Sequence, residues 1–235
     1  MPRAIGIIPA RMESTRFPDK PLELIYGSPM IQHVYAAVTE SHLITPCYVA
    51  TDSPEICETC ERLKMDYIIT SADCRNGSER AADAMRQLSD REDDVVVVIQ
   101  VDEPMIKGWM LDALVGAFAD KDVQIASLMV RPYSQADLDD ENNVKVMTLP
   151  DGDALYFSRT TITDDDLIHV GVYAYRRDTL LRLAKCPPSG LELQQRLEQY
   201  RALNEGINIR MIEVPGRLIS VDTPEDIARV EEALK

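Results

Sequence analysis

The sequence predicts an α/β fold, a doubly wound and mostly parallel sheet with added antiparallel strands, on three observations. Short apolar runs without polar alternation recur through the first hundred residues, as strands buried on both faces require. Between them lie stretches of helical period opened by cap signals, and regular alternation of strand with helix is the signature of a parallel sheet. At 235 residues and 45% hydrophobic content, with no repeat, low-complexity tract or linker, the chain is read as one domain spanning 1–235.

Taken in order, Ala4 to Ile8 is the first strand, and a helix follows from Pro29 to Glu40 with proline at its start. Pro46 to Ala50 is the second strand, and the Ser-Pro-Glu opening at Ser53 starts a helix running to Leu63. Tyr67 to Ile69, a helix from Ser78 to Leu88, and the unbroken run Val95 to Ile99 complete the regular alternation. Beyond it, Val123 to Val130, Val144 to Leu149, Ala154 to Ser158 and His169 to Tyr175 come with little helix between them, which suits antiparallel additions. Gln135 to Asn143 reads as an exposed loop. The chain closes with a helix from Leu191 to Leu203, a strand over Ile207 to Val214, and a helix from Thr223 to Leu234 opened by Thr-Pro-Glu-Asp.

Composition excludes several classes of function. A net charge of -15 argues against a nucleic-acid or anionic-membrane binder, because attraction to phosphate polymers needs the opposite sign. The apolar run at Met1 to Pro9 is too short for a signal peptide, and no stretch approaches the length of a spanning helix, so a cytoplasmic protein is expected. Five scattered cysteines (Cys47, Cys57, Cys60, Cys74, Cys186) suit reduced thiols. Cys57 and Cys60 form a CxxC, but His33, His42 and His169 do not complete a zinc set, and the pair reads as one face of a helix. Ten glycines fall short of the roughly 16 that average usage implies.

In such sheets ligands sit beyond the carboxyl ends of the strands. The segment after the first strand, Ile8 to Leu22, is the most informative: within the first 20 residues Arg3, Arg11, Arg16 and Lys20 outnumber Glu13 and Asp19. A positive island at a strand end, in an acidic chain, is what a polyphosphate needs; a solvated loop with surface ion pairs is the alternative. Neither a P-loop nor a dinucleotide glycine pattern is present. Asp102 and Asp222 each follow an apolar run, where they could hold a hard divalent cation. Asp102 could equally start a turn and Asp222 cap the last helix, although Thr223 with Asp226 makes the better capping box.

Read together, IPARMESTRFPDKPL (8–22), SPMIQHVY (28–35), VATD (49–52), NGSER (76–80), QVDEPMI (100–106), NVKV (143–146), ALYFSR (154–159), HVGVYAYR (169–176), LEQYRAL (197–203) and VDTPEDI (221–227) resemble the cytidylyltransferases that activate acidic sugars, most closely those acting on 3-deoxy-manno-octulosonate. The resemblance runs in order along nearly the whole chain. It implies a nucleotide-diphospho-sugar transferase-like fold and attack of an anomeric hydroxyl on the α-phosphorus of CTP, giving a CMP-conjugate and pyrophosphate. It also implies Mg²⁺ as cofactor, a homodimer, and a place in lipopolysaccharide biosynthesis. By position, Arg11 and Lys20 match the phosphate-binding residues, supported by Ser14 and Arg16. Ala10, Thr51, Asn76, Gly77, Ser78 and Arg80 match the surroundings of the cytidine, and Asp102 and Asp222 match the metal ligands. Gln100, Arg159, His169, Tyr173, Glu198 and Gln199 fall where the family contacts the sugar, His169 reading as a hydrogen-bond donor or as a strand histidine satisfied by backbone. Phosphoryl transfer depends on alignment and charge neutralisation, so these residue types suffice without a protein nucleophile.

The chain departs from the usual pattern where glycine is common, carrying Asp19, Val101 and Ser220 instead. Were any of these backbones left-handed, β-branched Val101 would be the hardest to accommodate. The nine residues between Arg159 and His169 form a shorter segment than is usual over the sugar site, and Gln195 stands where a second glutamate is common. Two alternatives stay open at this stage: the same chemistry on another ulosonic acid or a phosphonate, and a nucleotide-binding protein without catalysis.

Overall fold

The computed structural model describes residues 3–13, 17–88, 91 and 94–235. Strand β1 (Ala4–Pro9) is buried along its length. A 3-10 turn at Lys20–Leu22 and a tight hairpin of β2 (Leu24–Ile25) and β3 (Ser28–Pro29) lead into α1 (Met30–Thr39). Next come β4 (Ile44–Thr51), α2 (Pro54–Leu63), β5 (Tyr67–Ile69), α3 (Gly77–Leu88) and β6 (Val95–Ile99). After α4 (Gly108–Gly116) come β7 (Ile125–Val130), α5 (Gln135–Asp139), β8 (Lys145–Thr148), β9 (Ala154–Ser158) and β10 (Leu167–Arg176). Helices α6 (Arg177–Leu183), α7 (Gly190–Gln195) and α8 (Gln199–Asn204), strand β11 (Ile209–Glu213) and helix α9 (Pro224–Ala233) complete the chain.

The main sheet runs β11-β7-β10-β6-β1-β4-β5, with β8 paired to β10 and β9 to β8. Neighbours among β6, β1, β4 and β5 are parallel, as are β11 and β7, whereas β10 is antiparallel to both β6 and β7. The expected mostly parallel sheet with antiparallel additions is therefore present. The Val95–Ile99 run explains itself here: Val95, Val97 and Ile99 join the core under α1, α2 and α4, while Val96 and Val98 join the one under α3 and α6. Each fully buried valine is worth about 1.5–3 kcal/mol, so a strand covered on both faces favours five apolar residues in succession. Gly108 permits a close approach, since a Cβ there would lie 2.6 Å from the carbonyl carbon of Glu40 at the end of α1.

The sequence reading needs correction in four places. The helix expected over Leu191 to Leu203 is two helices, because Arg196 adopts the left-handed conformation (φ 56°, ψ 43°) and ends α7. The loop expected at Gln135 to Asn143 contains α5, whose start is held by the Asp137 carboxylate accepting from the Ser134 N–H at 2.9 Å. Helix α4 was not expected; Met110, Leu111, Leu114 and Val115 are buried while Trp109 is half exposed, so its sequence is apolar on most sides and shows no clean period. Helix α6 was also not expected, being a seven-residue continuation of β10. Elsewhere boundaries shift by up to two residues, and Ser53 caps α2 as expected, its Oγ accepting from Ile56 N at 3.3 Å. Cys57 and Cys60 lie on that helix. Burial pushes the Cys60 thiol up to about 12 and raises Cys57 as well, so neither is poised as a thiolate.

Candidate active site

A cleft of about 880 Å³ opens at the carboxyl edge of β1 and β6. One end is built from β1 and its sequel: Ala10, whose N–H donates to Ala50 O on β4 at 2.9 Å, then Arg11, and Lys20 at the start of the 3-10 turn. Asn76, Gly77 and Arg80 enter from the start of α3. Arg80 is buried, its guanidinium held by Asp52 at 3.0 Å and Thr70 Oγ1 at 2.7 Å. Gly77 leaves room for Gln100, whose side-chain nitrogen would lie 2.8 Å from an added Cβ. Ser14 and Arg16 lie outside the described residues. Two other expected nucleotide contacts do not line the cleft. Thr51 is fully buried, with its Oγ1 accepting from Ser53 N at 3.1 Å, and Ser78 lies beneath the floor, donating to Glu198 Oε2 at 3.1 Å.

At the centre, the loop after β6 meets the segment before α9. Val221 N donates to Asp102 O at 2.9 Å, which brings Asp102 and Asp222 onto one wall although 120 residues separate them in the chain. Lys20 Nζ donates to Asp102 Oδ2 at 2.7 Å and to Val221 O at 3.0 Å. The cap of α9 is Thr223, with the Asp226 carboxylate accepting from the N–H groups of Asp222 and Thr223 at 3.1 and 2.9 Å, so the Asp222 carboxylate is not the helix cap. Among the described residues no three His, Cys, Asp or Glu side chains cluster tightly enough to hold a metal by themselves. Two carboxylates completed by substrate phosphates and water are the donor set that suits Mg²⁺ rather than a dedicated protein cage. The Lys20 ammonium resting on Asp102 shows that a cation is welcome there.

Glu103 is the residue that sequence reasoning missed. It is 5% exposed, and its Oε1 accepts from Gly171 N and Ser220 Oγ, both at 2.8 Å. Burial first, then the charge of Asp102, pushes its pKa up to about 8. This carboxyl ties β10 and the segment before α9 to the loop that carries Asp102. Gly171 leaves room for it, because a Cβ there would lie 2.8 Å from Glu103 Oε1 and displace that carboxyl from its two donors. A glycine inside a strand pattern was the available signal.

Of the three glycine departures only Asp19 is left-handed, with φ 57°, a conformation aspartate tolerates better than most residues. Val101 has no such backbone and packs into the core at 8% exposure, so the expected difficulty there does not arise. Ser220 uses its hydroxyl on Glu103.

Because β10 runs antiparallel to its neighbours, it presents its first half to the cleft, with His169, Gly171 and Tyr173 lining it. The register against β7 shifts between Val170 and Tyr173, and buried Ser127 fills the irregularity by donating to Val172 O at 2.8 Å. Having spent its hydrogen there, Ser127 accepts from His169 Nε2 at 3.0 Å, which leaves Nδ1 as a lone-pair acceptor and reverses the donor expected of this ring. Phe157 and Tyr173 flank the imidazole at 5.4 and 5.2 Å, and burial pushes its pKa down to about 3.

The far end is formed by Arg159 and by Arg196, Leu197, Glu198 and Gln199 at the junction of α7 and α8. Arg159 donates to the carbonyls of Glu141, Gln195 and Arg196 at 3.2 to 3.4 Å. Lys145, completely buried, donates to the carbonyls of Asp140, Asn143 and Arg159 at 2.6, 2.9 and 2.9 Å, tying the loop that carries Asn142 and Asn143 to the end of β9. The short segment between Arg159 and His169 folds on itself around buried Asp166, which accepts from Ile162 N at 2.7 Å and from the Tyr156 hydroxyl.

Sheet order and cleft define an α/β protein whose mostly parallel sheet carries, at the carboxyl edge of its strands, a cleft lined by Arg11, Lys20, Asp102 and Asp222. The chain belongs to the cytidylyltransferase family, whose model matches residues 5–209. It is 42% identical to the 3-deoxy-manno-octulosonate cytidylyltransferase of Acidobacterium capsulatum over 98% of this chain and 96% of that one. It is 40% identical to the enzyme of the same name from Lawsonia intracellularis, over 99% and 94%. Among solved structures, CMP:2-keto-3-deoxy-manno-octonic acid synthetase complexed with CTP superposes with a TM-score of 0.90 at 36% identity, covering 99% of this chain and 98% of that one. A glucose-1-phosphate thymidylyltransferase from Bacillus anthracis, described as putative, shares the fold at 15% identity, with a TM-score of 0.71 over 97% of this chain and 94% of that one.

Proposed function

We propose that this chain transfers CMP from CTP to 3-deoxy-manno-octulosonate (Kdo) with release of pyrophosphate. The observation that carries the reading is the cleft itself, which gathers Arg11, Lys20, Asn76, Asp102, His169 and Asp222 from segments spread over 212 residues of sequence. The anomeric hydroxyl oxygen attacks the α-phosphorus, the bond to the bridging oxygen of the β-phosphate breaks, pyrophosphate leaves with the electron pair, and the hydroxyl proton passes to solvent. Arg11 and Lys20 hold the triphosphate, and Ala10, Asn76 and Gly77 take the cytidine. Gln100, Tyr173, Glu198 and Gln199 orient the sugar. Asp102 and Asp222 fit Mg²⁺, which when bound neutralises phosphate oxygens and lowers the pKa of the attacking hydroxyl. Neutral His169 is not needed as a base and serves as an acceptor for a sugar hydroxyl.

On this reading the protein works in the cytoplasm and supplies lipopolysaccharide precursors. Among the described residues no helix is long and apolar enough to cross a membrane. A homodimer is supported by exposed Leu149, Leu155 and Ile162 on and beside the β8–β9 hairpin, and light scattering at twice 26.4 kDa tests it. The test of function is pyrophosphate release from CTP over a panel of acidic acceptors. Turnover with Kdo, dependent on Mg²⁺ and lowered at least about a hundredfold by Asp102→Asn but not by surface Asp164→Asn, supports the reading. Preferred turnover of a phosphonate or another ulosonic acid refutes the acceptor, and CTP binding without turnover refutes catalysis.

A further inference from the structure

Five cations line the cleft, and three are already engaged: Lys20 by Asp102, Arg80 by Asp52 and Thr70, and Arg159 by three backbone carbonyls. The guanidinium groups of Arg11 and Arg196 have no hydrogen-bond or ion-pair partner among the described residues. Arg11 stands at the triphosphate end. Arg196 stands at the other, beside Arg159 and Glu198.

Arg196 sits where a helix end ordinarily carries glycine. Its backbone is left-handed, its N–H donates to Glu192 O as the cap of α7, and Arg159 Nη2 donates to its carbonyl at 3.3 Å. A non-glycine residue in this conformation carries backbone strain, and here it does so at the edge of the cleft. Charge points the same way. Glu13, Asp102 and Asp222 line the cleft, so an anionic acceptor needs a cation that no protein group already occupies. Two residues on, Glu198 Oε1 is buried without a hydrogen-bond partner among the described residues. A planar fork and a carboxylate oxygen, both without partners among the described residues and both on residues lining one end of the cleft, match a molecule with a carboxylate at one end and hydroxyls along it.

We propose that Arg196 pairs with the acceptor's carboxylate and is the residue by which this chain selects an acid, with Arg159 acting through it as a positioning residue. The inference rests on the reading of the acceptor as an acidic sugar. Under it, Arg159 fixes the carbonyl and backbone of Arg196 at the cleft edge, and Lys145 fixes the carbonyl of Arg159 in turn.

The test compares wild type with Arg196→Gly and Arg196→Lys, measuring KM for CTP, KM for Kdo, and relative kcat/KM for Kdo against its C1 carboxamide. Glycine is the residue this backbone favours, so the variant folds at least as stably as wild type, and a thermal melt confirms it. Arg196→Gly is expected to raise KM for Kdo tenfold or more, leave KM for CTP within twofold, and lower the preference for acid over amide at least tenfold; Arg196→Lys recovers part of that preference. A variant with wild-type KM for Kdo and wild-type preference overturns the assignment alone. A wild type that turns over CTP but not Kdo overturns the acceptor reading, and the Arg196 assignment with it.

Discussion

His169 gives a quantitative test of the site. The imidazole lies between Phe157 and Tyr173 with its Nε2 on Ser127, and burial pushes its pKa down to about 3, whereas a histidine in the unfolded chain titrates near 6.5. Below pH 6.5 the unfolded state therefore binds a proton that the folded state refuses. Stability from this group is complete above pH 6.5, falls as the pH drops from 6.5 toward 3, and levels off below that. Integrated from pH 7 to pH 5, the loss is about 2 kcal/mol. In His169→Gln the group is gone, and any cost of the substitution is the same at both pH values. Urea unfolding at pH 7, 6 and 5 is expected to show wild type losing about 2 kcal/mol more than the variant across that span, with equal m-values. Carboxylates with lowered pKa, such as Asp166 and Asp226, titrate below this window and cancel in the difference. Parallel stability curves for the two proteins would refute the claim that the folded site keeps this ring neutral, and with it the Nδ1 acceptor assigned above.

Two further outcomes follow from the same geometry. Lys145→Met leaves three partly buried carbonyls without their donor, so urea unfolding should show a loss on the order of 3 kcal/mol; because Asn143 and Arg159 line the far end of the cleft, KM for Kdo should rise while KM for CTP does not. Asp19→Gly relieves a left-handed aspartate beside Lys20, and a gain on the order of 0.5 kcal/mol, read as a melting temperature higher by about 1–2 °C, is expected; a lower melting temperature would show that Asp19 makes a compensating contact.

How much of this could be read in the sequence depends on how local the cause is. Val95 to Ile99 and Ala154 to Ser158 were legible to the residue because burial on both faces, or pairing in a hairpin, leaves its mark on consecutive side chains. Ser53 and Thr223 were legible because a helix cap is satisfied within three or four residues. By contrast, QQRLEQ gives no local sign that the helix ends at Arg196, since every residue in it is a tolerable helix former. Nor does the segment Ile8 to Leu22 announce that Lys20 meets Asp102, 82 residues away.

The sequence by itself determined the α/β class, most of the elements, and the segments that hold the cleft residues, because period, caps and motif spacing are properties of neighbouring positions. Only the tertiary structure decided that β10 enters reversed and offers its first half to the cleft, that Glu103 joins Gly171 and Ser220 beneath the two aspartates, and that the Arg159 guanidinium is engaged while that of Arg196 has no partner among the described residues. Those are outcomes of hydrogen bonds between residues far apart in the chain, and each goes to whichever partner the packing brings within about 3 Å.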